Sequence, residues 1–223
     1  KGKSIIEYRT ALRDENQKYF ASKVSNPYNL SLLHGEQLID FRSDVKIKCN
    51  FYFSDKENKI FNEKFKKILG KKFAIIQSET SKKMTSVKNW EIEKFQKIVD
   101  STYETINWIQ IGKNEYKLNN TTDLTKISVR EMIYLIKHSN FILCLESVYN
   151  HIASAFNKKV FLIASGFIPI EFFKYENSQI IKPEKKVNCD PCFILGSCPI
   201  DSKPCTSQIS SKDVLNIIYK YIK

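Results

Sequence analysis

The stretch NFILCLESVYNHIASAF, Asn140 to Phe156, decides the fold. Its apolar run Phe141 to Leu145 stops at Glu146-Ser147, and Val148, Ile152, Ala155 and Phe156 then recur at helical spacing. This is the pattern of a short buried strand that turns directly into a helix. The turn itself carries a carboxylate, a hydroxyl and, one helical turn on, His151.

The same alternation extends on both sides. Phe73 to Ile76 reads as a short buried strand, Gln77 to Asn89 as a polar loop, and Ile92, Phe95, Ile98 and Val99 as helix markers. Ile106 to Ile111 is the next strand, stopped by Gly112. Ser128 and Glu131, three residues apart, form a capping box that opens a helix to His138. After the opening stretch, Val160 to Ala164 is a strand and Asp213 to Ile222 an amphipathic helix. Strand and helix in alternation predict an α/β fold: a Rossmann-like parallel sheet with helices on both faces.

Upstream, Lys3 to Val24 and Leu32 to Phe41 read as helices separated by Asn26-Pro27. Val45, Ile47, Cys49, Phe51 and Phe53 alternate as a half-buried strand, and Ile60 to Leu69 is a helix ended by Gly70. We divide the chain into residues 1–70, the end of a preceding domain with its connection, and 71–223, one Rossmann-like domain.

The composition is that of a globular protein, with 42% apolar residues among 223 and no run approaching the roughly 20 apolar residues of a membrane span. Lys1 to Phe20 carries no secretion-signal pattern, and the missing initiator Met leads us to expect a fragment of a longer protein. The net charge of +12 is spread along the whole chain, as solvated lysines would be; the alternative is attraction to a diphosphate, a lipid headgroup or a nucleic acid.

In open α/β sheets ligands bind outside the carboxyl ends of the strands, where helix N-termini point amides outward. Glu146 and Ser147 stand at such an end. Either Ser147 simply caps the helix and His151 is a buried histidine, or the amides of Val148, Tyr149 and Asn150 face an anion to which His151 adds a donor. The loop Gln77-Ser78-Glu79-Thr80-Ser81-Lys82-Lys83 lies at another strand end and leads to Lys88-Asn89-Trp90 before a helix. A lysine beside a helix start suits a phosphate; the plain alternative is a solvated loop with Trp90 docked on the sheet.

Cys49 and Cys144 sit in apolar alternations and read as core. Cys189, Cys192, Cys198 and Cys205 are spaced Cys-x2-Cys-x5-Cys-x6-Cys, which suits a tetrahedral structural metal, zinc or iron. Disulfides or unpaired thiols are the other readings.

Taken in order, Lys-x-Trp before a helix, Asp-Leu-Thr-Lys-Ile-Ser-Val-Arg-Glu from Asp123, Glu-Ser-x-x-x-His-x-Ala-x-Ala from Glu146 and the cysteine cluster resemble family 9 glycosyltransferases, the heptosyltransferase family. The resemblance runs from about Phe73 to the C-terminus. It implies the C-terminal, donor-binding half of a two-domain GT-B enzyme that inverts the anomeric centre. Such an enzyme moves a sugar from a nucleoside diphosphate to a surface glycan, in lipopolysaccharide or capsule, in the cytoplasm and at the inner membrane periphery. No nucleic-acid partner is expected. Carried over, Lys88 neutralises donor phosphate, the amides of Ser147 to Tyr149 hold the diphosphate, and His151 adds a donor. Glu146, where the family has Asp, hydrogen-bonds the donor sugar, and Ser78 and Asp123 contact phosphate and ribose. The usual Asp-Ser/Thr-Gly-Pro is Glu146-Ser147-Val148-Tyr149 here, and the Pro after Lys-x-Trp is Glu91. The general base and acceptor site belong to the N-terminal domain in that family, for which residues 1–70 are too few, so this chain is expected to hold no catalytic residue. The rival readings are a metal-stabilised basic nucleic-acid-binding module and a nucleotide-sugar epimerase of the same fold.

Overall fold

A computed structural model describes residues 50–80, 85–113, 115–185, 187–200 and 204–222. The expected helices Lys3–Val24 and Leu32–Phe41, the strand positions Val45 to Cys49 and the loop residues Ser81 to Lys83 lie outside them.

The described elements are α1 (Asp55–Lys64), α2 (Lys66–Leu69), β1 (Phe73–Gln77), α3 (Ile92–Asp100), β2 (Asn107–Gln110) and β3 (Thr122–Asp123), then α4 (Val129–His138), β4 (Phe141–Leu145) and α5 (Val148–Ala155). They continue with β5 (Lys159–Ile163), a 3₁₀ turn (Ile170–Phe173), β6 (Ser178–Ile181), α6 (Pro204–Ser207) and α7 (Ser211–Ile222). The six strands form one sheet in the order β3-β2-β1-β4-β5-β6, and every neighbouring pair is parallel. That is the doubly wound order whose direction reverses between β1 and β4.

The pleat sorts side chains to two cores. Ile75, Ile109, Ile142, Cys144, Val160 and Leu162 face a layer containing α4 and α5. Ala74, Ile76, Trp108, Leu143, Leu145, Phe161 and Ile163 face the other way, onto Phe95, Ile98 and Val99 of α3 and Val214 and Ile218 of α7. Both strands that flank the reversal, β1 and β4, are buried at every position. Cys144 is therefore a core residue, as expected, and burial pushes its thiol far up from the ordinary value.

Two helices start on full capping boxes. In α4 the Ser128 hydroxyl accepts from the Glu131 amide at 3.3 Å while the Glu131 carboxylate accepts from the Ser128 amide at 2.8 Å. Ser54 and Glu57 do the same for α1. The boxes are joined across the layer, because Arg130 Nη2 lies 2.7 Å from Glu57 Oε1, and Lys64 pairs with Glu131.

The alternation through Phe51 and Phe53 is not a strand in the described residues. These rings are partly covered by the helical layer instead: Phe53 stands edge-on to Tyr134 at 5.1 Å under the Arg130 guanidinium at 4.5 Å, and Phe51 lies 5.7 Å from Phe156. Aromatic contact with α4 and α5 satisfies the pattern that a pleat would otherwise explain. Gly70 does follow a helix, but with right-handed φ −73°, so no left-handed cap is involved. The strands β3, two exposed polar residues, and β6, four residues whose first two are polar, are too short to show a period.

Candidate functional site

The loops after β1 and β4 leave the sheet side by side, because Gln77 is in register with Cys144. Gln77 then joins them: its Oε1 accepts from the Leu145 amide at 3.1 Å and lies 3.2 Å from the Ser147 hydroxyl. Ser147 also reaches back to the Leu145 carbonyl at 3.0 Å, and its backbone is extended at φ −158°. The consequence corrects the capping expectation. Ser147 makes no side-chain cap, so the first turn of α5 presents its amides without the partner that Ser128 gives α4.

Glu146 is 1% exposed. Its Oε1 accepts from the Ser165 amide and its Oε2 from the Ser165 hydroxyl, both at 2.9 Å. Burial pushes its carboxyl up from the ordinary value, against the Ser165 amide and the nearby Lys88 charge, with Asp190 adding to the rise. Each oxygen thus holds one bond to the turn that follows β5 and keeps a second lone pair.

Lys88 lies mostly buried. Its Nζ is 4.6 Å from the Phe167 ring centroid and 5.9 Å from that of Phe173. Among the described residues it has no hydrogen bond and no ion pair within reach. Burial holds its pKa below the ordinary lysine value, with the Glu146 charge opposing. His151 shares this environment: its Nδ1 is 2.7 Å from the Tyr175 hydroxyl and its ring packs on Phe173 at 5.3 Å. Burial and then the Lys88 charge lower its pKa. Lys88, His151 and the open turn of α5 thus gather at the reversal point.

Other expected residues stand apart. Ser78 is wholly buried with its hydroxyl 3.4 Å from Gln110 Nε2, so it is a packing residue and not a lining one. Its neighbour Glu79 accepts from the amides of Glu115 and Tyr116 at 2.6 and 3.0 Å. Asp123 caps Thr125 through its Oδ1 at 3.0 and 2.8 Å, on β3, two strands and about 10 Å from β1. Trp90 docks on the domain in the plain way: it is 3% exposed, edge-on to Phe95 at 4.8 Å, and donates to the Ile209 carbonyl at 3.0 Å.

Cys189, Cys192, Cys198 and Cys205 are free thiols that line one cavity of about 50 Å³, together with Ser165, Gly166 and Asp190. Burial pushes the Cys205 thiol up to about 11. Among the described residues no three His, Cys, Asp or Glu side chains stand close enough together to hold one ion, so the expected metal knot is not formed in this arrangement. Sequence reasoning missed Ser165, Phe167, Phe173 and Tyr175, and it named Gln77 in the strand-end loop without a role. The one available signal was Ser165-Gly166 directly after an apolar strand, with Gly166 at φ +77°.

The doubly wound parallel sheet, with Lys88 and the α5 amides at its reversal point, defines an α/β domain of the class in which ligands bind outside the strand ends. The chain belongs to glycosyltransferase family 9 (heptosyltransferase), which matches residues 29–194. No curated protein matches it. Among solved structures, a family 9 glycosyl transferase from Veillonella parvula aligns at TM-score 0.61 and 11% identity, over 88% of this chain and 60% of that one. E. coli ADP-heptose lipopolysaccharide heptosyltransferase II gives 0.59 and 12% identity, over 80% and 55%. The iron-containing dodecameric glycosyltransferase TibC from enterotoxigenic E. coli gives 0.53 and 16%, over 68% and 46%. The chain therefore spans about half the length of these relatives, and the likeness is one of GT-B-type fold. Family membership favours neither the nucleic-acid module nor the epimerase. Among the described residues no helix is long and apolar enough to cross a membrane.

Proposed function

We propose that this chain is the donor-binding part of an inverting, heptosyltransferase-like glycosyltransferase that takes a nucleoside diphosphate sugar. The observation that carries the reading is Lys88: a mostly buried ammonium with no acceptor among the described residues, near an α5 N-terminus that Ser147 leaves uncapped. A diphosphate would supply acceptors to this ammonium. As the glycosidic bond breaks, negative charge grows on the leaving diphosphate, and the fixed ammonium and amides stabilise it there. ADP-heptose is the first donor to test, because E. coli WaaC, of similar fold, is solved with an ADP-heptose analogue. We place the general base and the acceptor site, for a surface glycan such as lipopolysaccharide or capsule, in the N-terminal domain. Cytoplasmic work at the inner membrane periphery follows from such an acceptor.

Calorimetry with ADP-, GDP-sugars and tripolyphosphate tests this. A nucleotide-sugar should bind best, and Lys88→Ala should weaken it by roughly 1.5–3 kcal/mol, the range of a charge-assisted hydrogen bond. Equal, weak binding of all three that ignores Lys88→Ala would sink the reading.

We also propose that the four cysteines take one structural zinc or iron. The support is the thiol set on a shared cavity and the similar fold of TibC, a glycosyltransferase that contains iron. The sulfurs would have to draw inward, and the ion would supply folding energy to a loop with little core, with no part in the transfer. Elemental analysis after anaerobic, tag-free purification should find one ion per chain, lost in Cys192→Ser. A content near zero refutes it.

A further inference from the structure

We infer that the cysteine loop is a brace that positions Lys88, holding at once the backbone that carries the lysine and the aromatic ring beneath it; this rests on the reading of Lys88 as the phosphate ligand. The first contact set runs to the lysine's own loop. Thr85, 2% exposed, donates its hydroxyl toward the Ile194 carbonyl at 2.8 Å and the Gly196 carbonyl at 3.2 Å, and the Ser86 amide donates to the same Gly196 carbonyl at 2.8 Å. Thr85 and Gly196 pair as an isolated parallel bridge. The second set runs to the ring. The Cys192 amide donates to the Gly166 carbonyl and the Phe193 amide to the Phe167 carbonyl, each at 2.9 Å. Phe167 is the ring on which the Lys88 ammonium sits.

A third set ties the other end. Beyond Cys205, the carbonyls of Ser207 and Ile209 accept from Lys94 Nζ at 2.8 and 3.0 Å, and Ile209 also accepts from Trp90. The segment from Thr85 to Lys94 is thus fastened on both sides to the polypeptide that carries the cysteines. Among the described residues its other ties are local or apolar: the Val87 amide donates to Thr85 Oγ1 at 3.2 Å, the Asn89 amide to the Ser86 carbonyl at 3.1 Å, Asn89 Oδ1 accepts from Thr80, and the Val87 and Trp90 side chains are buried. An ammonium gains by turning to water, so keeping it over two rings requires a backbone that cannot swing. The geometry of the brace is specific. Phe193 and Gly196 both lie at positive φ, 52° and 86°, and a Cβ on Gly166 would come within 3.1 Å of Asp190 Cγ. Thr85, Gly166 and Gly196 are then positioning residues, acting on the anion through Lys88.

The test uses the intact protein and two readouts. Amine acylation followed by mass spectrometry reports Lys88 without any ligand: it should be slow in the wild type and several-fold faster in Thr85→Val, while exposed Lys97 is unchanged. ADP titration should show Thr85→Val, which removes the bonds to the Ile194 and Gly196 carbonyls and the one accepted from the Val87 amide, weakening affinity roughly 3- to 10-fold, with no further loss when Lys88→Ala is already present. Adenosine affinity should not move. Gly196→Ala, on an open loop where its Cβ meets nothing within 4 Å, serves if Thr85→Val folds poorly. Unchanged Lys88 acylation in both variants overturns the brace. Faster acylation with ADP affinity indifferent to Lys88→Ala upholds the brace and rejects the phosphate reading.

Discussion

Glu146 is tied to Ser165 through both carboxylate oxygens, at 2.9 Å to the amide and 2.9 Å to the hydroxyl. The pair joins the turn after β4 to the turn after β5, so the carboxylate holds the wall of the crevice. Removing it should leave a buried amide without an acceptor.

Glu146→Ala should therefore cost about 1–3 kcal/mol of stability, the desolvation penalty of an orphaned buried donor. Glu146→Gln keeps an acceptor and should cost much less at neutral pH. The sign of the pH dependence follows from burial. A carboxyl whose folded pKa is raised above the ordinary 4.5 binds its proton more tightly when folded, so its contribution is full below 4.5 and is lost as pH rises through the folded value. Urea denaturation across that window should show this slope in the wild type and its loss in Glu146→Gln. Equal slopes would contradict the assignment.

On the proposed reading, Lys88 favours binding at the expense of stability. Its folded pKa is depressed, chiefly by burial, so the charged form is disfavoured by folding and stability should rise as pH climbs through the folded value. Lys88→Met keeps the apolar stem on Phe167 and removes the charge. We expect a higher Tm for the free protein and, at the same time, a loss of ADP affinity of roughly tenfold or more, about 1.5 kcal/mol. A variant that lost both would show that the ammonium is structural.

Much of this was legible in the sequence. Buried strands such as Phe141 to Leu145 announce themselves, because parallel strands covered on both faces are apolar throughout. The Ser128 box was equally plain, since a hydroxyl and a carboxylate three apart have one common use. Phe51 and Phe53 misled because alternation records burial of every second side chain and not what buries it. The site was half legible. Lys88 and Ser147 lie at strand ends, where periodicity breaks and position alone is informative. Ser165, Phe167 and Tyr175 come together through the sheet order, and only Ser165-Gly166 after an apolar run marks any of them locally. The orientation of Ser147 depends on Gln77, 70 residues away, so its failure to cap could not be read from its neighbours.

Ser147 and Ser128 make a controlled pair, two serines before helices in one protein. Ser128→Ala should cost about 0.5–2 kcal/mol, as the loss of a working cap does. Ser147→Ala should stay within about 0.5 kcal/mol, since no cap is lost. Ser147→Asp should place a carboxylate where the diphosphate is expected, leaving the fold intact and weakening ADP roughly tenfold or more, about 1.4 kcal/mol. Thermal melts and calorimetry read all three. A large destabilisation by Ser147→Ala would mean that the hydroxyl caps α5 after all.

His151 should make nucleotide binding depend on pH. In the free protein burial, aided by the Lys88 charge, holds its pKa below 6.5, so at neutral pH the ring is uncharged and bonded to the Tyr175 hydroxyl. A diphosphate arriving beside Lys88 reverses part of that bias, because a nearby anion favours the imidazolium. Binding then takes up a proton. Affinity should be flat above the bound-state pKa, strengthen as pH falls from there to the free-state pKa, and level off below it. The terminal phosphate of ADP gains a proton in the same range and pulls the other way, so the informative quantity is the difference between wild type and His151→Gln. That difference should grow toward low pH, and calorimetry in buffers of different ionisation enthalpy should show fractional proton uptake only in the wild type. Parallel curves for the two proteins would place His151 outside the reach of the anion, as a packed ring between Phe173 and Tyr175.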